Sequence, residues 1–204
     1  MGIDAPSWCS ALQFTDFLQV ASAEGQQQLN ADLGKGFLIG GTSAGAQFTA
    51  SIVPLYRDAG LSPPITGIVF LAGNLVDTRA TPARFRDSIL SVDEITSAPG
   101  LTKEAVDYFA DMYAADPFDV RRSPLLVDSW KGVAAKAIIS VCGWDPRRDE
   151  GILFDRLLKD AGVEVRTGVH KGLPHGFWTV CRDLDVSREW ESQLVEDVGW
   201  LLES

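Results

Sequence analysis

The sequence predicts an α/β fold, a mostly parallel sheet flanked by helices, on three observations. Short apolar runs alternate with helical patterns, the order that βαβ units produce. The 204 residues are 46% apolar, which suits one domain with a respectable core rather than two. No internal repeat or low-complexity tract points to a stacked array instead.

In chain order, residues 9–22 carry Leu12, Phe17, Leu18 and Ala21 near one helical face, ahead of a polar, Gly-containing stretch over 23–35. Gly36 to Gly40 reads as a buried strand. After a sharp turn at Thr42 to Ala44, residues 45–59 read as a helix ending at Gly60, which Pro54 is expected to kink or divide because it has no N–H to donate. Ile65 to Leu71 is the next strand. Residues 72–133 break the alternation with turns and one helix, Thr102 to Ala114, with Thr102 as N-cap and Glu104 in its first turn. So long an excursion between two strands is expected to be a cap or lid that shapes a substrate pocket. Strand signals resume at Ala137 to Val141. A helix over 150–161 follows, with Ile152, Leu153, Leu157 and Leu158 inward and Gly162 as its stop, then a strand over Val163 to Val169. The last helix, Ser187 to Leu202, aligns Trp190, Leu194, Val198 and Leu201 on one stripe.

Lys and Arg total 18 against 28 for Asp and Glu, a net charge of −10 that repels phosphate backbones and anionic membranes. Nucleic acid is therefore not an expected partner. The three cysteines, Cys9, Cys142 and Cys181, are odd in number and lack metal-ligand spacing, which fits reduced thiols in a cytoplasmic protein. No apolar run approaches the roughly 20 residues of a membrane span, and the first residues lack the features of a signal peptide.

Gly41-Thr42-Ser43-Ala44-Gly45 matches G-x-S-x-G between a strand and a helix, where a tight turn lifts a serine above a sheet. Both glycines are expected because a Cβ at either would clash. The turn also sets Ser43 at a helix N-terminus, so that the Ala44 N–H can serve an oxyanion. The same five residues fit a Gly-rich turn with a helix-capping serine, so the motif needs partners. A serine hydroxyl requires a general base, and the chain has two histidines, His170 and His175. His175, in a glycine-flanked loop beyond a strand, is the better placed; His170 reads as an imidazole satisfied by a neighbour. Asp145, in Gly143-Trp144-Asp145-Pro146, is the acid that would orient the imidazole, whereas Asp149 reads as a helix N-cap. Phe48, Phe177 and Trp178 are candidates for a pocket wall. Two histidines in one segment and scattered acids do not form a metal-ligand set, and no cofactor is implied.

Gly40 to Gly45, Asp145-Pro146-Arg147-Arg148-Asp149-Glu150-Gly151 and His175-Gly176-Phe177 resemble, in order, the nucleophile elbow, acid loop and histidine loop of the hormone-sensitive-lipase-like α/β-hydrolases. Ser123-Pro124-Leu125-Leu126 resembles the family's approach to the strand before the acid loop. The resemblance covers most of residues 36–202 and implies a carboxylesterase or lipase using Ser43, His175 and Asp145 on small, rather apolar esters. An amidase or arylformamidase would use the same triad. A non-catalytic binding module is the other alternative, because plant gibberellin receptors resemble the same family. The family's HGGG-type segment, source of a second oxyanion donor, has no counterpart in this chain. The chain is accordingly expected to be the C-terminal portion of the fold, with Gly36 to Gly40 left as a sheet edge open to self-association.

Overall fold

A computed structural model describes residues 17–203. Four parallel strands, β1 (Leu38–Thr42), β2 (Gly67–Leu71), β3 (Lys136–Trp144) and β4 (Glu164–Pro174), lie side by side in that order. Their period-two alternation sends Ile39, Ile68, Phe70, Ala137, Ile139 and Val141 into one core. Leu38, Val69 and Ile138 pack on the opposite side. Helices α2 (Ala44–Asp58) and α5 (Arg148–Asp160) cover the first face through Ala46, Ala50, Val53, Leu153, Phe154 and Leu158. Helix α7 (Asp185–Leu202) covers the second through Leu194, Val198, Trp200 and Leu201. Among the described residues, β1 pairs only with β2.

Several boundaries differ from expectation for local reasons. The strand expected over Gly36 to Gly40 lies two residues later and runs through Thr42, because its pairing extends to Thr42 opposite Leu71. Pro54 does not divide α2: it sits within a buried stretch from Thr49 to Pro54, and tertiary packing outweighs the one hydrogen bond it cannot make. Strand β4 continues five residues past Val169, past a register irregularity in β3 between Cys142 and Trp144, so that Trp144 pairs with Pro174. On α5 the inward stripe is Glu150, Leu153, Phe154 and Leu158, while Ile152 is 44% exposed. Ile152 lies two residues from both Glu150 and Phe154, hence on the other side of a 3.6-residue turn.

Residues 17–21 are helical, and the rest of the helix expected over 9–22, with Cys9, lies outside the described residues. Phe17 stacks on Phe37 with ring centroids 5.6 Å apart. The polar stretch 23–35 holds a short helix that hydrophobic periodicity misses, α1 (Ala23–Leu29), made by its caps: Ser22 Oγ accepts from the Gly25 N–H and Asn30 closes the C-terminus in the left-handed region.

The excursion after β2 contains two 3-10 turns (Thr78–Ala80, Ala83–Ser88), a single helical turn α3 (Ser91–Glu94), helix α4 (Lys103–Tyr113) and a third 3-10 turn (Pro124–Leu126). Thr102 caps α4 as expected, its Oγ1 accepting from the Ala105 N–H at 3.1 Å. The return limb is fastened to the body of the fold. Gln47 Nε2 donates to the Arg122 carbonyl and Ser51 Oγ to the Arg121 carbonyl, each at 2.8 Å, and the Leu125 N–H donates to the Leu75 carbonyl. Asp77, 1% exposed, accepts from its own loop and from Arg79. Burial alone would raise the Asp77 carboxyl, but hydrogen bonds from the Arg79 side chain and backbone, with the charges of Arg122 and Arg79, outweigh it and hold the group at about 2.

A carboxyl lowered by folding contributes stability that is complete above its unfolded value near 4 and lost as pH falls through the folded one. Urea unfolding of the native chain should therefore lose about 2 kcal/mol more than Asp77→Asn between roughly pH 4 and pH 2. Equal acid sensitivity in the two proteins would remove Asp77 from that role.

Candidate active site

Ser43 stands alone between β1 and α2 with φ 56° and ψ −115°, a conformation that side-chain-bearing residues seldom adopt. Its N–H donates to the Leu71 carbonyl at 2.8 Å, tying the turn to the end of β2. The two flanking glycines prove unequal. A Cβ on Gly41 would fall 2.6 Å from the Gly45 carbonyl oxygen, whereas a Cβ on Gly45 would meet nothing within 4 Å. The clash expected at both positions therefore exists at Gly41 only, because Gly45 supplies backbone to the contact and its own Cβ direction is open.

The Ser43 hydroxyl does not cap α2. It lies 2.9 Å from His175 Nε2, and His175 Nδ1 lies 2.6 Å from Asp145 Oδ2. A carboxylate only accepts, so Nδ1 carries the proton toward Asp145 and Nε2 offers its lone pair to the serine hydroxyl. Asp145 is buried, and its second oxygen accepts from the Arg147 N–H at 2.8 Å. The structure thus joins Ser43, His175 and Asp145 in one hydrogen-bonded line. Ala44 follows as the first residue of α2, where the N–H has no acceptor within the helix.

The other titratable groups nearby are engaged elsewhere. Asp149 does not cap α5, since Arg147 holds the N-cap position. Its carboxylate instead reaches across to the N–H groups of Leu90 and Ser91 at 2.8 and 2.7 Å. Burial would raise the Asp149 carboxyl, but these bonds and Arg148 hold it below the usual carboxylate range. His170 Nε2 lies 3.0 Å from Ser140 Oγ, which also accepts from Trp190 Nε1, and burial lowers the imidazole. Cys142 is no competing nucleophile: burial first, then the Asp145 charge, push its thiol up to about 12.

Ser43 and His175 open on a cavity of about 520 Å³. Phe48 lines it, as expected. Phe177 and Trp178 do not. Gly176 begins the helical turn α6 (Phe177–Val180), which carries Phe177 into a core with Cys142 and Ala72, and Trp178 onto Trp190 at 4.2 Å. Sequence reasoning missed Gln47, Asn74, Arg122, Arg147 and the α4 face of Val106, Phe109, Ala110 and Tyr113, all of which line the cavity. Gln47 was within reach, being four residues past Ser43 on the same helix, and the α4 residues have helical three- and four-residue spacing. Among the described residues, no group of His, Cys, Asp and Glu could hold a metal ion, and no helix is long and apolar enough to cross a membrane.

A parallel sheet with helices on both faces and a strained serine between strand and helix define a class of hydrolase fold. A family model described as alpha/beta hydrolase fold matches residues 4–179, and the chain belongs to that family, in its hormone-sensitive-lipase-like branch. It is 32% identical over 180 residues to an AB hydrolase superfamily protein of Schizosaccharomyces pombe, covering 86% of this chain and 52% of that protein. It is 32% identical over 148 residues to the carboxylic ester hydrolase LipN of Mycobacterium tuberculosis, covering 68% of this chain and 36% of LipN. The solved structure of vibralactone cyclase superposes with a TM-score of 0.87 at 32% identity, over 93% of this chain and 55% of that one. The chain thus spans about half the length, or less, of these relatives.

The asymmetry of the elbow glycines gives opposite outcomes. Gly41→Ala should destabilise the fold by about 1–3 kcal/mol, and Gly45→Ala should be neutral or stabilising by up to about 1 kcal/mol, as alanine favours helix. Thermal unfolding of both variants measures it, and equal losses would refute the contact.

Proposed function

We propose that the chain carries the acyl-transfer chemistry of a carboxylic ester hydrolase acting on small, rather apolar esters through an acyl-enzyme on Ser43. One observation carries the reading: an unbroken hydrogen-bond line from Ser43 through His175 to buried Asp145, at the mouth of a cavity walled by Phe48, Val106 and Phe109. Its membership in a family with named ester hydrolases supports the same reaction.

In this reading His175 Nε2 takes the Ser43 proton as Oγ attacks the acyl carbon, and Asp145 stabilises the imidazolium that forms. The oxyanion develops beside the Ala44 N–H, where the α2 dipole favours negative charge. His175 then protonates the departing alkoxide. Water, activated by the same imidazole, releases the acid. The excursion over 72–133 acts as the cap, with α4 supplying cavity wall.

A fluorophosphonate probe should label Ser43 in the native chain, read as a mass gain on the peptide that contains it. Labelling should vanish in Ser43→Ala and fall sharply in His175→Ala. Turnover of p-nitrophenyl butyrate should fall about 10,000-fold in Asp145→Asn, through the wrong histidine tautomer. Undiminished labelling of Ser43→Ala would end the assignment.

A further inference from the structure

The cavity beside Ser43 has an arginine in its wall that the triad does not use. The Arg122 side chain is 7% exposed and lines the cavity. Moving a guanidinium from water into such a place is costly, and the cost is recovered only when its five N–H donors find good acceptors. Arg122 has poor ones. Nη1 reaches Gln47 Oε1 and Nη2 reaches Asp77 Oδ2, both at the long distance of 3.3 Å. Nε is buried and has no hydrogen-bond partner among the described residues.

Its ion pair is also a long and shared one, whereas Arg79 has Asp111 as a second carboxylate at 3.5 Å. Among the described residues, Asp77 is the only carboxylate within ion-pair distance of Arg122, and Arg79 already holds both oxygens of Asp77 at 2.8 Å. Arg147, the other arginine lining the cavity, is matched by Glu150 at 2.7 Å. The face of the Tyr113 ring, 5.2 Å from the Arg122 guanidinium carbon, holds the group in place without neutralising it. Beside it, Phe48, Val106, Phe109 and Ala110 give the wall an apolar stretch.

We propose that Arg122 is a specificity-determining residue that receives a substrate carboxylate. The cavity then suits the monoester of a short dicarboxylic acid: an apolar methylene chain along the wall, the ester at Ser43 and a free carboxylate at Arg122. This rests on the hydrolase reading above and adds the substrate class to it. A charge-assisted pair with a buried guanidinium favours the acid-ended ester over its uncharged counterpart by about tenfold or more.

The test separates binding from turnover. The Ser43→Ala chain is titrated by calorimetry with the monomethyl and the dimethyl esters of succinate, glutarate and adipate. At least one monomethyl ester should bind about tenfold more tightly than its dimethyl counterpart. Arg122→Met in the same background should bring the two to equal affinity, and Arg122→Lys should keep part of the preference. Arg122→Gln replaces the methionine variant if circular dichroism finds the latter unfolded. No preference across all three pairs, or a preference that survives in the folded methionine or glutamine variant, overturns the proposal. Hydrolysis is then measured with Ser43 intact. A binding preference without turnover would sink the hydrolase reading and leave Arg122 its carboxylate, and turnover without the preference would do the reverse.

Discussion

The backbone of Gly45 passes so close to Gly41 that residue 41 has no room for a side chain, with the Gly45 carbonyl oxygen 2.6 Å from where a Cβ would be. That approach is what lets β1 turn straight into α2 within one residue, and the residue caught between them takes φ 56°. The serine in that conformation makes no capping bond to its own helix, and its hydroxyl meets His175 instead. The strain at Ser43 is offset by the bond from its N–H to Leu71 and by the burial of α2.

Parallel pairing does the remaining gathering. Thr42 lies opposite Leu71, and Leu71 opposite Ser140, so the strands leave the sheet nearly level along one edge. Ser43 follows β1, Ala72 and Asn74 follow β2, Asp145 follows β3 and His175 follows β4, each from the same C-terminal edge. The irregularity at Cys142 and Trp144 lengthens this edge on the β4 side. It carries the pairing out to Pro174, one residue short of the histidine, so His175 sits on a strand end and not on a free loop.

Much of this was legible in the sequence because it is local. A serine turn needs five consecutive residues, and the order strand, acid loop, strand, histidine loop reads along the chain. The failures have physical causes too. Phe177 and Trp178 follow His175 by two and three residues, yet the left-handed Gly176 starts a helical turn that faces them away from the cavity. Arg122 meets Gln47 and Asp77 across 75 and 45 residues, and Glu150 meets Leu75 across 75. Contacts of that range leave no periodicity to read, so Arg122 carries no signal in the sequence, whereas each triad residue, though distant from the others, sits in a local motif of its own. Helix α1 escaped for a different reason: its caps make it, and hydrophobic spacing carries no trace of them.

The start of α5 shows how the excursion is tied to the loop that carries Asp145 rather than lying over it as a separate flap. Two adjacent acids there reach outward to backbone N–H groups of the excursion: Glu150 to Leu75 and Val76, Asp149 to Leu90 and Ser91. Arg147, which bonds Glu150 through its side chain, bonds Asp145 through its N–H. The carboxylate bonded to His175 is therefore three hydrogen bonds from the chain that leads to α4. Each of these acceptors is buried or nearly so, and breaking one bond would leave a charge without its partner, the costly way to lose a buried contact. Displacing the first part of the excursion would thus disturb the loop that aims the imidazole. Helix α4 is held differently: its Phe109 and Met112 are about 60% exposed and line the cavity without anchoring the acid loop.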